Sequence, residues 1–177
     1  IIILLVLYIV FTYNGLVTAK VRDDQSFKDI DVQLKKRYDL LPDLVETARQ
    51  ATGLYEKIFT EVARLRSDAM KAQEQGSMPE RAKVEGQISS MMRDVKVAVE
   101  AYPDIKAHGE LASLMESVTA IEEKIAYSRQ FYNGNVADYN AKLRVFPNVL
   151  AASTLGFKEA DYFNAPDEEK QDVKVTF

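Results

Sequence analysis

Tyr132-Asn133 and Tyr139-Asn140 repeat at a spacing of seven residues, which would set both phenols on one helix face and both amides on the next. Phenols and amides donate and accept hydrogen bonds but supply no nucleophile at neutral pH. The chemistry they offer is the fixing of register, within one chain or between copies. A self-association face is expected at Tyr132, Asn133, Tyr139 and Asn140, joined by Leu150, Leu155 and Phe157 from the apolar run after Pro147. The alternative is that each Asn bonds within its own bundle or to water. Lys35-Lys36-Arg37 is the most basic triplet. At the end of a first extramembrane helix it would meet the negative end of the helix dipole and pair on the surface with Asp31 and Asp39, which explains it without a partner.

Other chemistries lack their residues. Cys is absent, so there are no disulfides, thiolates or iron–sulfur ligands. His108 is the only histidine, and Ile105 stands three residues before it, so the Glu-x-x-His pairs of di-iron bundles cannot be assembled. A solvated His108 near a helix start is expected, with neither metal nor other cofactor. No phosphate-binding glycine loop, nucleophile elbow or supported Ser/His/Asp set occurs. The net charge of −4 and interleaved basic residues give no field for a phosphate backbone, which argues against nucleic acid as a partner. An enzyme is not expected.

The elements that would position these residues are helical. Of 177 residues 47% are hydrophobic and 28% charged, enough for one core. Apolar residues recur at alternating spacings of three and four: Leu41, Leu44, Ala48, Ala51, Tyr55, Ile58, Val62, Leu65, Ala69; then Val84, Ile88, Met91, Val95, Ala98; then Leu111, Leu114, Val118, Ile121, Ile125, continuing through Tyr132, Val136, Tyr139, Leu143 to Phe146. A weaker first face carries Val17, Val21, Phe27, Ile30, Leu34 and Tyr38. Prolines are read as punctuation, with Asp39 capping a helix that has Pro42 in its first turn, a break at Gln75-Gly76-Ser77, and Tyr102-Pro103-Asp104 closing the third segment. Short connections then predict an all-α, antiparallel up-down-up-down four-helix bundle over residues 18–146.

Ahead of the bundle, Ile1, Ile2, Ile3, Leu4, Leu5, Val6, Leu7, Tyr8, Ile9, Val10 and Phe11 form an uninterrupted apolar run. With the residues to Val17 it would rise about 25 Å as a helix, slightly less than the ~30 Å hydrocarbon core, so a few apolar residues are expected upstream. Residues 1–17 are read as a transmembrane anchor in contact with lipid. A cleavable signal peptide ending near Val17-Thr18-Ala19 is the rival. A pilin-like helix would want Glu where Leu5 stands. Lys20, Arg22, Lys28, Lys35, Lys36 and Arg37 follow the run closely, which favours a cytoplasmic bundle. The fourth helix, about 55 Å long, outreaches the ~30 Å extramembrane part of the first. Residues 147–177 should therefore begin at membrane level, meeting the lipid interface or a second copy, or folding back as a cap, and end as an acidic tail after Asn164.

Tyr13-Asn14-Gly15-Leu16-Val17 and the stretch from Ile30 through Lys35-Lys36-Arg37-Tyr38-Asp39-Leu40-Leu41-Pro42-Asp43-Leu44-Val45-Glu46 resemble the signature of the bacterial LemA family. Tyr102-Pro103-Asp104, Tyr127-Ser128-Arg129-Gln130-Phe131-Tyr132-Asn133, Ala137-Asp138-Tyr139-Asn140, Phe146-Pro147 and Gly156-Phe157 are similar to its later motifs, in the same order. The resemblance covers almost the whole chain. Departures are small: the order Ser26-Phe27, and Asp43 where Asn is usual. It implies a helical bundle anchored at its N-terminus to the bacterial cell membrane, and it brings no catalytic residues.

Two function classes follow. One is a non-enzymatic, self-associating scaffold, single-pass in the membrane, that organises other membrane proteins or the bilayer. The other is a sensor or adaptor whose bundle binds a ligand or partner, which would need a polar pocket and an output domain.

Overall fold

Every regular element among the described residues is a helix: α1 (Ile2–Thr52), α2 (Glu56–Gln75), α3 (Met78–Glu100), α4 (Gly109–Arg144) and α5 (Asn148–Thr154). The chain is an all-α helical bundle. The computed structural model describes residues 2–52, 56–100 and 109–163. Ile1, the Tyr102–Asp104 turn, His108 and the acidic run after Asn164 lie outside them.

The chain forms two compact units, one from Ile1–Val32 with Ile125–Tyr162 and one built around Gln33–Lys124. In the first, α1 and α4 run antiparallel. Phe27 lies against Tyr132 with ring centroids 5.5 Å apart, and Lys20 stands 5.7 Å from the Tyr139 ring centroid. In the second, α1, α2, α3 and α4 each contribute a buried seam, with Leu34, Leu41 and Leu44, then Val62, Leu65 and Ala69, then Ile88, Met92 and Val95, then Leu111 and Val118.

Pro42 does not start a helix; it lies inside α1. A proline there removes the hydrogen bond to the Tyr38 carbonyl and costs ~3 kcal/mol. The seam explains why the helix continues: Ile30, Leu34, Leu41 and Leu44 are fully buried on both sides of it. At about 1.5–3 kcal/mol for each such side chain, two of them outweigh the proline. Expecting Asp39 to cap a new helix was therefore wrong, and the first helix runs well past Tyr38.

The inward stripe of α1 also differs from the apolar reading. It runs through the buried Thr12, Leu16, Ala19, Asp23, Ser26, Ile30, Leu34, Arg37, Leu41 and Leu44, a heptad-like series holding small and charged residues, with Tyr38 and Val45 buried beside it. Val21, assigned to the packed face, is exposed. Phe146, read as the last step of the α4 seam, is 75% exposed because α4 ends at Arg144.

The α2–α3 break falls where the sequence places it. A Cβ on Gly76 would come 2.5 Å from the Ala72 carbonyl oxygen, so the close turn needs glycine. Ser77 opens α3. Its backbone N–H and its hydroxyl donate to Glu80 Oε2 at 2.8 and 2.9 Å, a capping box that holds the Glu80 carboxyl below the usual carboxylate range.

Candidate functional site

After α5 the chain turns back along α4, and the turn is built from one glycine. The Phe157 N–H donates to the Ala152 carbonyl at 3.1 Å while Gly156 adopts φ 78°, the left-handed position of a Schellman cap. Phe157 then packs against Leu16, Ala19, Tyr139, Leu143 and Ala152. Its ring meets Tyr13 edge-on at 5.9 Å.

The strap that follows, residues 157–162, has no regular structure of its own, so its peptide groups must find partners elsewhere. Side chains of α4 supply them. Tyr139 Oη donates to the Lys158 carbonyl at 2.9 Å and Tyr132 Oη to the Asp161 carbonyl at 2.8 Å. Asn140 uses both ends of its amide: Nδ2 donates to the Ala160 carbonyl and Oδ1 accepts the Ala160 N–H, each at 2.9 Å. Arg144 closes the row with a two-point pair to Glu159 at 2.6 and 2.7 Å.

Of the residues expected to form a self-association face, Tyr132, Tyr139 and Asn140 are thus buried under the chain's own strap. Asn133 is half-buried. Phe157 belongs to the core of this unit, whereas Leu150 and Leu155 remain exposed. On α1, Ile2, Ile3, Leu4, Val6, Leu7, Ile9, Val10 and Phe11 all present exposed side chains, and Tyr8 is half-buried.

Burial pushes the Tyr132 phenol up to about 12, with the nearby Asp23 carboxylate adding to the effect. Tyr139 is raised in the same way, chiefly by burial. A raised phenol contributes stability that is intact below its ordinary value of about 10 and is lost as pH climbs toward the folded value. Amide exchange of residues 158–161 should therefore accelerate between about pH 10 and 12, and Tyr132→Phe should abolish the late phase of phenolate absorbance.

A second polar cluster, in the other unit, was not foreseen. Arg37 is 1% exposed, neither at a helix end nor on the surface, while Lys35 and Lys36 are exposed. Its Nη2 pairs with Glu85 Oε2 of α3; its Nη1 lies 3.0 Å from Ser89 Oγ and 2.8 Å from Glu122 Oε1 of α4. The Tyr38 hydroxyl donates to the other Glu85 oxygen. One guanidinium thus ties three helices together, with two carboxylates around it. Reading charged positions as seam members would have found it. Arg37 continues the series Ile30, Leu34, Leu41, Leu44, and Glu85 falls between Arg81 and Ile88 on the buried stripe of α3. Taking both charges out of water offsets much of their attraction, so the pair's net contribution is smaller than the cost of removing one partner. Among the described residues no group of three or more acidic, His or Cys side chains is placed to hold a metal.

Known proteins are similar to this chain over most of its length. Magnetosome protein MamQ 2 of Paramagnetospirillum magneticum is 25% identical over 174 residues, which cover 85% of this chain and 64% of that protein. Magnetosome protein MamQ of Magnetospirillum gryphiswaldense is 23% identical over 175 residues, covering 86% and 64% respectively. The chain spans slightly less than two thirds of these relatives. The LemA family model matches residues 26–177, a span holding the Arg37 cluster, the α4 clamp and the strap, and on that match the chain belongs to the LemA family.

Proposed function

We propose that the chain is a non-enzymatic membrane scaffold, held on the bilayer by the start of α1 and acting through self-association to organise membrane partners or the bilayer itself. The observation that carries this reading is the change in α1 at Thr12. Before it the helix leaves a run of large apolar side chains uncovered; from Thr12 onward one face is buried by its own unit. The helix is long and apolar enough at this end to cross a membrane. An exposed apolar run of that size in water would be an aggregation liability, and in lipid it is an anchor. The relatives, named as magnetosome proteins, are in keeping with a membrane-associated role.

Protease protection tests the anchor. A tag before Ile1 and a tag after Phe177, in sealed vesicles, should show opposite sensitivity. The positive charge that follows the apolar run favours the cytoplasmic side for the C-terminal tag. Tags protected together would remove the single-pass reading. Mass photometry of the detergent-extracted protein should give a large homo-oligomer; a monomer at all concentrations would remove the scaffold.

A further inference from the structure

The chain touches its own anchor a second time. Tyr8 Oη donates to Asn148 Oδ1 at 3.4 Å, at the start of α5, and Tyr13 meets Phe157 just beyond the end of α5. Helix α5 and the turn before it therefore lie beside residues 8–13 of α1, inside one compact unit. Ala152 turns inward on Leu16 and Leu143. Outward, Val145, Phe146, Val149, Leu150 and Leu155 are exposed, with Phe146 at 75% and Leu150 at 64%.

From Val145 through Phe157 no residue is charged, while Lys142 and Arg144 precede the stretch and Lys158 and Glu159 follow it. An uncharged apolar foot with charged ankles is the composition of a segment lying in the boundary between headgroups and acyl chains, where Tyr rings are also favoured. Between the two α1 residues that touch it, Tyr8 and Tyr13, the side chains of Ile9, Val10 and Phe11 are exposed as well, so apolar groups of the foot and of the anchor are uncovered at the same level of the unit.

We infer that α5 and the turn before it are a lipid-binding foot that inserts into the bilayer interface beside α1, so that the membrane surface crosses α1 near Tyr8–Tyr13. The inference rests on the anchor reading, and its occupant is phospholipid. A foot of this kind fixes the depth and tilt of the bundle, which a single spanning helix leaves free.

The chain has no tryptophan, so an introduced indole reports alone. The full chain is reconstituted in phosphatidylcholine vesicles carrying bromine on acyl carbons close to the glycerol, as Phe146→Trp, Leu150→Trp, Leu4→Trp and, on the exposed face of α4, Tyr127→Trp. Phe146→Trp and Leu150→Trp should emit at shorter wavelength than Tyr127→Trp and lose emission to the bromines, while Tyr127→Trp keeps its own. Unquenched, water-like emission from both foot variants, with Leu4→Trp quenched by deeper bromines, overturns the foot and leaves the anchor. Short-wavelength emission at positions 146 and 150 that no bromine quenches overturns it in favour of a second copy covering the patch. Leu4→Trp unquenched at every bromine depth brings down the anchor reading and the foot with it.

Discussion

Arg37→Met should lower the stability of the helical bundle by about 3–5 kcal/mol, the range for leaving one member of a buried ion pair uncompensated. The substitution keeps most of the volume and removes the guanidinium that pairs with the Glu85 carboxylate, to which the Tyr38 hydroxyl also donates. Glu122 is less affected, since its side chain is 30% exposed and can hydrate. For a chain of this size the loss corresponds to about 10 °C in melting temperature, read by far-ultraviolet circular dichroism in detergent. Arg37→Met with Glu85→Gln should recover much of it, because the second change removes the stranded charge. Arg37→Lys should fall between, since one ammonium cannot span Glu85, Ser89 and Glu122 as the planar fork does. A melting temperature unchanged in Arg37→Met would show that the cluster does not hold the three helices.

The α2–α3 break and the seam of α4 as far as Leu143 were legible because apolar spacing and glycine at a close turn act locally. The course of α1 was not. A period test that counts only apolar residues cannot place Asp23 or Arg37 on the buried stripe, and it lets Val21 stand in for Ala19. Pro42 misled for the opposite reason: its local cost is real, but the fully buried leucines on either side exceed it. The strap was least legible of all. Nothing in the spacing of Tyr132, Tyr139 and Asn140 says whether their polar ends meet a neighbouring protein or the chain's own peptide groups 19 to 29 residues later. The heptad relation put them on one face; burial against residues 157–161 gave that face its use.

The second large effect is expected at Asn140, which is 5% exposed and spends its whole amide on Ala160. Asn140→Asp keeps the acceptor for the Ala160 N–H but replaces the donor by a carboxylate oxygen facing the Ala160 carbonyl. One hydrogen bond is lost and a partly buried negative charge gains no partner, a cost of about 2 kcal/mol or more. If the strap opens separately from the helices, this shifts its opening equilibrium about thirtyfold toward the detached state. Hydrogen exchange of residues 157–161 should accelerate by that factor, while α4 keeps its protection and circular dichroism is unchanged. Mass photometry of the same variant asks whether an intact strap is needed for assembly. Loss of large particles together with strap release would mean that copies meet across the closed strap and the α5 surface beside it. Particles of wild-type size with a released strap would separate the clamp from self-association and move the interface to another face. Exchange at the wild-type rate would mean that Tyr132, Tyr139 and Arg144 hold the strap without the amide, and the central role given to Asn140 here would be wrong.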